Sequence, residues 1–352
     1  MNQTNFPSRR LPAEWEPQSG IMLTWPHRRS DWRNRLGAVE KVFLDIAREI
    51  AKRQRLIILA YDLPHQQQIE EKLVGAGVCT DNVKIYPVPS NDTWARDHGP
   101  IAIYHDHQFE LLDFNFNGWG NKYPAKLDNA INRSLHELGA FGKTALSSKD
   151  FVLEGGSIDS NGRGVILTTE NCLLATTRNP HLSQVNIETY LKAEFGASQL
   201  LWLSHGSIVG DDTDGHIDML ARFVGIDSIA YVSCEQKDDD HFATLDSMHQ
   251  ELAALRQPDG EPYNLTPLPL PAPVLNLEGA RLPASYANFL IINDAVLLPF
   301  YAVEQDEDVK RIMSELFPDR EIVGIDSRPL IEQFGSLHCC TMQLPQGVLP
   351  EF

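Results

Sequence analysis

No apolar run in this sequence approaches the roughly 20 residues that a membrane-spanning helix needs. The start, residues 1–10, is polar and lacks the apolar core of a signal peptide, so a cytoplasmic protein is expected. Cysteine is scarce and poorly spaced for staples or zinc. The five are Cys79, Cys172, Cys234, Cys339 and Cys340, an odd number. Disulfide scaffolding is therefore not expected, and a reducing compartment fits. Positive charge is also short, with 30 Lys and Arg against 48 Asp and Glu and a formal net charge of -18. Such a chain is not expected to bind nucleic acid or an anionic membrane surface. It would draw in a cationic ligand, although the same charge would also serve solubility alone.

The 352 residues are 42% hydrophobic and 22% charged, which suits a globular fold with a sizeable core. Apolar residues at Val39, Val42, Phe43, Ile46 and Ile50 predict a helix over residues 37–52. Residues 21–25, 56–60 and 83–88 read as strands. So do residues 219–224, a long apolar stretch at 287–298, and 337–342 near the end. The proline-rich run 258–273 reads as a surface connector or a bent strand. Helices and short strands alternate throughout, and polar loops recur at strand ends. A weak multi-module repeat accounts for this, with a doubly wound sheet as the competing architecture.

Four polar stretches carry side chains suited to chemistry. The first reads Trp94-Ala95-Arg96-Asp97-His98-Gly99-Pro100. A tryptophan beside a carboxylate can cradle a planar cation, though a solvated Arg96–Asp97 loop reads the same way. Glu154 ends an apolar strand and precedes Gly155-Gly156. That suits a buried carboxylate at close backbone approach, or a plain charge before a turn.

The third stretch packs Asp211, Asp212, Asp214, His216 and Asp218 into eight residues. On a strand, His216 and Asp218 would share a face. A histidine among carboxylates is a general acid/base with a raised pKa. The rival is a metal site, because His-x-Asp is a ligand pair and acidic clusters suit calcium. The full EF-hand spacing is missing, however, and no second histidine pair stands nearby. The fourth stretch is His338-Cys339-Cys340. On a strand the two thiols would face opposite sides, so one of them lines a given pocket. Two small core residues is the rival reading.

Together these segments resemble the agmatine deiminase and bacterial-type peptidylarginine deiminase family of the guanidino-modifying pentein superfamily. The match begins at Pro12-Ala13-Glu14-Trp15-Glu16-Pro17 and Thr24-Trp25-Pro26. It continues through Trp94 to Pro100, Phe116-Asn117-Gly118-Trp119-Gly120, Glu154-Gly155-Gly156 and Asn171-Cys172-Leu173-Leu174. Arg178-Asn179-Pro180, Asp214 to Asp218, and His338-Cys339 with Thr341, Gln343 and Pro345 complete it.

The resemblance implies one α/β domain over residues 1–352, a five-module α/β propeller with pseudo-fivefold repeats around a central active-site channel. It implies Cys339 as nucleophile and His216 as general acid/base. Asp97 and Asp218 would grip a guanidinium, Glu154 would sit beside His216, and Trp94 would wall the pocket. Asp212 falls where agmatine-specific members carry a glutamate near the substrate's amine. The implied partner is a small cationic guanidino compound, with no metal and no organic cofactor; a homodimer stays open.

The implied reaction is hydrolysis of agmatine to N-carbamoylputrescine and ammonia through a cysteine thiouronium, a step in putrescine formation. A deiminase of peptidyl-arginine or of another guanidino compound is the alternative. A metal-dependent hydrolase built on His216 and Asp218, or a catalytically silent binding homologue, stands further off. Three departures bear on the substrate. Asp212 is shorter than glutamate, Ser8-Arg9-Arg10 stands where an acid would help hold an amine, and the stretch 335–343 differs from Gly-Gly-Asn-Ile-His-Cys-Ile-Thr-Gln-Gln.

Overall fold

The computed structural model describes residues 9–351, so most of the polar start, including Ser8, lies outside the described residues. Apolar runs bounded by turns fold into five separate small sheets. Four of them share a plan of an antiparallel hairpin, a helix, and a third strand parallel to the second. One consists of Ile101–His105, Gln108–Asn115 and Ala145–Val152. The next has Ile158–Ser160, Val165–Thr169 and Gln199–Leu203. Ala221–Gly225, Ser228–Ser233 and Asn264–Pro269 form the third, and Leu290–Ile292, Ala295–Phe300 and Glu321–Asp326 the fourth.

A parallel pair needs a crossover. Helices Ile131–Glu137, Gln184–Phe195, Phe242–Ala254 and Gln305–Leu316 supply it in turn. The fifth sheet joins both halves of the chain. Thr341–Pro345 pairs antiparallel with Gln18–Thr24, which runs parallel to Arg55–Ala60. Helix Leu36–Ala51 is its crossover, and Val39, Val42, Phe43, Ile46 and Ile50 are all buried, as their spacing predicts. Val83–Pro87 extends the sheet. The result is a five-module α/β propeller and not a doubly wound sheet.

Several local readings need correction. Residues 287–298 are not one strand. They form a hairpin that turns at Asn293 and Asp294, with Asp294 at φ 62°, a conformation that aspartate tolerates better than most residues. The proline-rich run contains a strand, Asn264–Pro269, on the edge of its sheet, where a missing N–H need not break a ladder. Ala95–His98 is one helical turn inside the polar loop. The strands expected at 219–224 and 337–342 start later, at Ala221 and Thr341: Ile217–Met219 and His338–Cys340 are single tight turns that precede them, so His216 and Asp218 do not share a strand face. Among the described residues, no helix is long and apolar enough to cross a membrane.

Candidate active site

Each sheet's first strand is entered from a short turn, and these five turns meet. Ala95–His98 carries Asp97 ahead of Ile101–His105. Glu154 caps the turn Gly155–Ser157 ahead of Ile158–Ser160. His216 and Asp218 belong to the turn before Ala221–Gly225. Asn288 stands two residues before Leu290–Ile292, and Cys339 two residues before Thr341–Pro345. All six side chains are buried.

Asp97 and Asp218 flank the thiol. Asp97 accepts hydrogen bonds from Trp119 Nε1 at 2.9 Å and from the backbone N–H of Gly156 at 3.0 Å. Asp218 Oδ2 lies 2.8 Å from His338 Nδ1 and 3.8 Å from Cys339 Sγ, while its Oδ1 is buried without a partner. Burial pushes the Asp218 carboxyl up, but the hydrogen bond and charge of His338 outweigh this and hold it below the usual range. Burial raises the Cys339 thiol well above its ordinary value, and the charges of Asp218 and Asp97 raise it further. These surroundings favour the thiol form of Cys339, and a cation placed between the two carboxylates would shift it toward thiolate.

His216 is fully buried, and neither of its ring nitrogens has a hydrogen-bond partner. Its Nδ1 lies 3.6 Å from Asp97 Oδ1. Burial alone favours the neutral ring, yet the negative charge of Asp97 dominates the surroundings and holds the pKa well above the ordinary histidine value. Gly156 is what lets these groups converge. A Cβ there would stand 2.6 Å from His216 Nδ1, 2.9 Å from Asp97 Oδ1 and 3.1 Å from Asp218 Oδ2.

Glu154 is fully buried, with Arg178 Nε donating to its Oε1 at 3.0 Å. Glu154, Cys172 and His216 place one donor atom each within 4.8 Å of one another, the one such group among the described residues that could hold a metal ion. The Arg178 guanidinium already gives Glu154 its positive neighbour, so a second cation there would meet direct repulsion. The acidic stretch before His216 is not one ligand set. Asp211 accepts from Thr213 and Gly215 and so braces its own loop, and Asp214 pairs with Lys122 and Arg178.

A cavity of about 190 Å³ runs past the deeply set Asp97 and Cys339 to an exposed mouth at Tyr123 and Phe334. Its walls include Trp94, Trp119 and Tyr123, and its carboxylates are Asp31, Asp92, Asp97 and Asp212; no lysine or arginine lines it. Trp94 packs on Trp32 with ring centroids 5.8 Å apart. Asp212 stands at the mouth, where the Tyr123 hydroxyl donates to it at 2.5 Å and Lys122 Nζ approaches to 3.3 Å. Burial pushes the Asp92 carboxyl up to about 6. Cys340 lies in the apolar core with no exposure. A tight turn, not strand alternation, separates it from Cys339.

Of the candidate residues, Trp94, Asp97, Asp212 and Cys339 line this cavity, and His216 and Asp218 are buried beside Asp97 and Cys339 with Glu154 next to His216. Sequence gives no role to His338 or Arg178, although both stand in the quoted motifs, and it does not single out Asn288 or the wall acids Asp31 and Asp92. Asn288 could have been found from the repeat, since it has the same offset from its strand as Cys339.

Residues 10–345 match the family of Porphyromonas-type peptidyl-arginine deiminases. The chain is 30% identical to the agmatine deiminase of Pseudomonas aeruginosa strain UCBPP-PA14, over 96% of this chain and 95% of that protein. A Porphyromonas gingivalis protein, provisionally assigned as an arginine deiminase, superposes with a TM-score of 0.91 at 46% identity and covers 97% of this chain and 100% of its own. A cysteine-to-serine variant of C. jejuni agmatine deiminase, solved with substrate bound, superposes at 0.89 and 38% identity, covering 97% of each chain.

Proposed function

Since the chain belongs to the Porphyromonas-type peptidyl-arginine deiminase family, we propose that it hydrolyses agmatine to N-carbamoylputrescine and ammonia, with residues 1–352 working as one domain. The observation that carries this reading is a buried thiol, Cys339, that lines a cavity with Asp97 and three further aspartates, with the Asp218 carboxylate 3.8 Å from its sulfur and the unbonded His216 imidazole beside Asp97.

A guanidinium is planar, cationic and resonance-stabilised, so its carbon is a poor electrophile. Asp97 and Asp218 would accept its N–H groups and hold the carbon before Cys339 Sγ. The bound cation favours the thiolate, whose lone pair forms the C–S bond. Protonated His216 gives its proton to the departing nitrogen, ammonia leaves, and a thiouronium remains. Neutral His216 then takes a proton from water as its oxygen bonds to the same carbon. Collapse of that adduct breaks the C–S bond and releases the ureido product, with Cys339 restored. Trp94 would wall the substrate, and Glu154, paired with Arg178, would sit beside His216. No step calls on a metal or an organic cofactor.

The far end of the cavity favours an amine. The aromatic walls suit a methylene chain, and Asp31, Asp92 and Asp212 suit a terminal ammonium. Free arginine would bring its carboxylate toward these acids, and the Lys122 ammonium at the mouth is already paired with Asp212 and Asp214. The protein would act in the cytoplasm, where a reducing poise keeps Cys339 a thiol.

The test is kcat/KM for agmatine, arginine and a peptidyl-arginine, following ammonia and ureido product. Agmatine is expected to lead by at least about 100-fold. Cys339→Ala should abolish turnover and Cys340→Ala should keep it. Equal or better turnover of arginine or the peptide would overturn the substrate, and activity in Cys339→Ala would overturn the mechanism.

A further inference from the structure

Behind the thiol, on the side away from the open cavity, a buried chain of polar groups links Asp218 to the stretch near the start of the sequence that reads Pro12-Ala13-Glu14-Trp15. The imidazole of His338 stands between two carboxylates. Its Nδ1 lies 2.8 Å from Asp218 Oδ2 and its Nε2 lies 2.8 Å from Glu14 Oε2. The ring is thus held at both ends, one nitrogen against each carboxylate.

Glu14 is itself fixed. Ile291 donates its backbone N–H to Oε1 at 2.7 Å, Arg222 Nη2 donates to Oε2 at 2.9 Å, and Arg96 Nη2 lies 3.6 Å away. Although burial pushes the Glu14 carboxyl up, Arg222, His338 and Arg96 hold it well below the usual range. Arg222 is anchored in turn by Asp159, its Nε donating to Oδ1 at 3.0 Å. Glu14, Asp218 and His338 are all at least nine-tenths buried. The proposed reaction uses Asp218 but neither His338 nor Glu14.

We propose that Glu14 and His338 are positioning residues for Asp218: the imidazole takes up Oδ2 and leaves Oδ1 as the one oxygen free to accept a guanidinium N–H. Asp218 Oδ1 is the oxygen that the structure leaves buried and unpartnered. An unclamped carboxylate could rotate about its terminal torsion and present either oxygen, or turn toward Cys339 and Arg222. Clamping it keeps one acceptor fixed beside the residue that bears the thiol. The charged groups around the relay are His216, Asp97, Arg222, Arg96 and Asp159, with the Cys339 thiol beside them. The inference rests on Asp218 as a guanidinium acceptor, so its test must separate cation gripping from turnover.

His338→Gln can bond only one of the two carboxylates, while Glu14→Gln releases the far end. The intact protein and both variants are treated with a neutral alkylating agent and with a cationic amidine alkylator, and Cys339 modification is followed by mass spectrometry. Thermal melts and agmatine turnover are measured alongside. The intact protein should prefer the amidine. His338→Gln should reduce that preference at least about tenfold and kcat/KM at least about 100-fold while keeping a cooperative melt, and Glu14→Gln should do the same to a smaller degree.

A general loosening would slow both alkylators alike, and that result overturns the relay. So does an amidine preference kept within about twofold in a folded His338→Gln. Loss of a cooperative melt in both variants would make the chain structural and would also end the proposal. Intact protein that prefers the amidine but fails to turn over agmatine would count against the substrate alone and leave the relay standing.

Discussion

Asn288 holds Cys339 by side chain and backbone at once. Its Nδ2 donates to Sγ at 3.2 Å, while its Oδ1 accepts the backbone N–H of Cys339 at 3.3 Å and that of His338 at 2.9 Å. Replacing it by alanine strands a buried N–H, a loss of about 1–3 kcal/mol of stability, and frees the thiol to rotate. Asn288→Ala should lower kcat by about 100-fold with little change in KM. Asn288→Asp should be worse near neutral pH, because a third carboxylate beside the sulfur opposes the thiolate. Steady-state kinetics with thermal melts check both, and Asn288→Asp matching Asn288→Ala would remove the electrostatic part.

Two acids raise the Cys339 thiol, so removing one should have opposite effects on two reactions. Asp218→Asn should speed alkylation by a neutral reagent in the absence of substrate, since burial and the charges of Asp218 and Asp97 all oppose the thiolate. The same substitution should abolish turnover, because the guanidinium loses a grip. Iodoacetamide labelling against pH reports the first and ammonia release the second. Parallel loss of both would show that the acid does not set the thiol's charge.

Gly156→Ala should be close to inactive. The added Cβ would enter a space where His216, Asp97 and Asp218 come within 3.1 Å of it. Overpacking costs about 1–3 kcal/mol, so the variant should still fold, with a lower melting temperature and no measurable citrulline-type ureido product. Retained turnover above about a tenth would show that the groups can give way.

Asp92 links binding to stability through pH. Its carboxyl titrates at about 6 in the folded protein, raised by burial, against 3.8 for an ordinary aspartate. Folding therefore favours the protonated form. That relative stability is fully present below about pH 4 and is lost as pH rises through 6, a cost near neutral pH of about 3 kcal/mol. Asp92→Asn can still accept from Trp32 and Thr93. It should raise the melting temperature at pH 7.5, with the gain shrinking toward pH 4.5, while KM for agmatine rises several-fold. A gain independent of pH would remove ionisation as its cause.

The sequence revealed the architecture where periodicity is strong. The helix with Val39, Val42, Phe43, Ile46 and Ile50 inward was legible, and so were most strands. It failed where the chain stops being periodic. Cys339 and Cys340 read as strand because apolar residues surround them, and Met219 reads as the start of one, yet these residues belong to tight turns that precede their strands. Asp97, Glu154, His216, Asp218 and Cys339 could be picked out because each sits in a compact motif. Their supporting contacts could not. Glu14 and His338 are 324 positions apart, and Cys339 and Asn288 are 51 apart. No local spacing records such pairs. Asp31 and Asp92 were hidden differently, as ordinary acids whose place on the cavity wall depends on how Trp32 and Trp94 pack.

The sheet that joins Thr341–Pro345 to Gln18–Thr24 has a consequence for when the protein becomes chemically dangerous. Its reactive sulfur enters the fold only when a strand near one end of the chain docks beside a strand near the other, across some of the longest separations in the molecule. Such contacts form late and carry a large closure entropy. A growing polypeptide on the ribosome would thus expose four nearly finished blades but no armed nucleophile. On the role proposed for Cys339, its sulfur would meet Asp97, His216 and Asp218 only once the ring is complete.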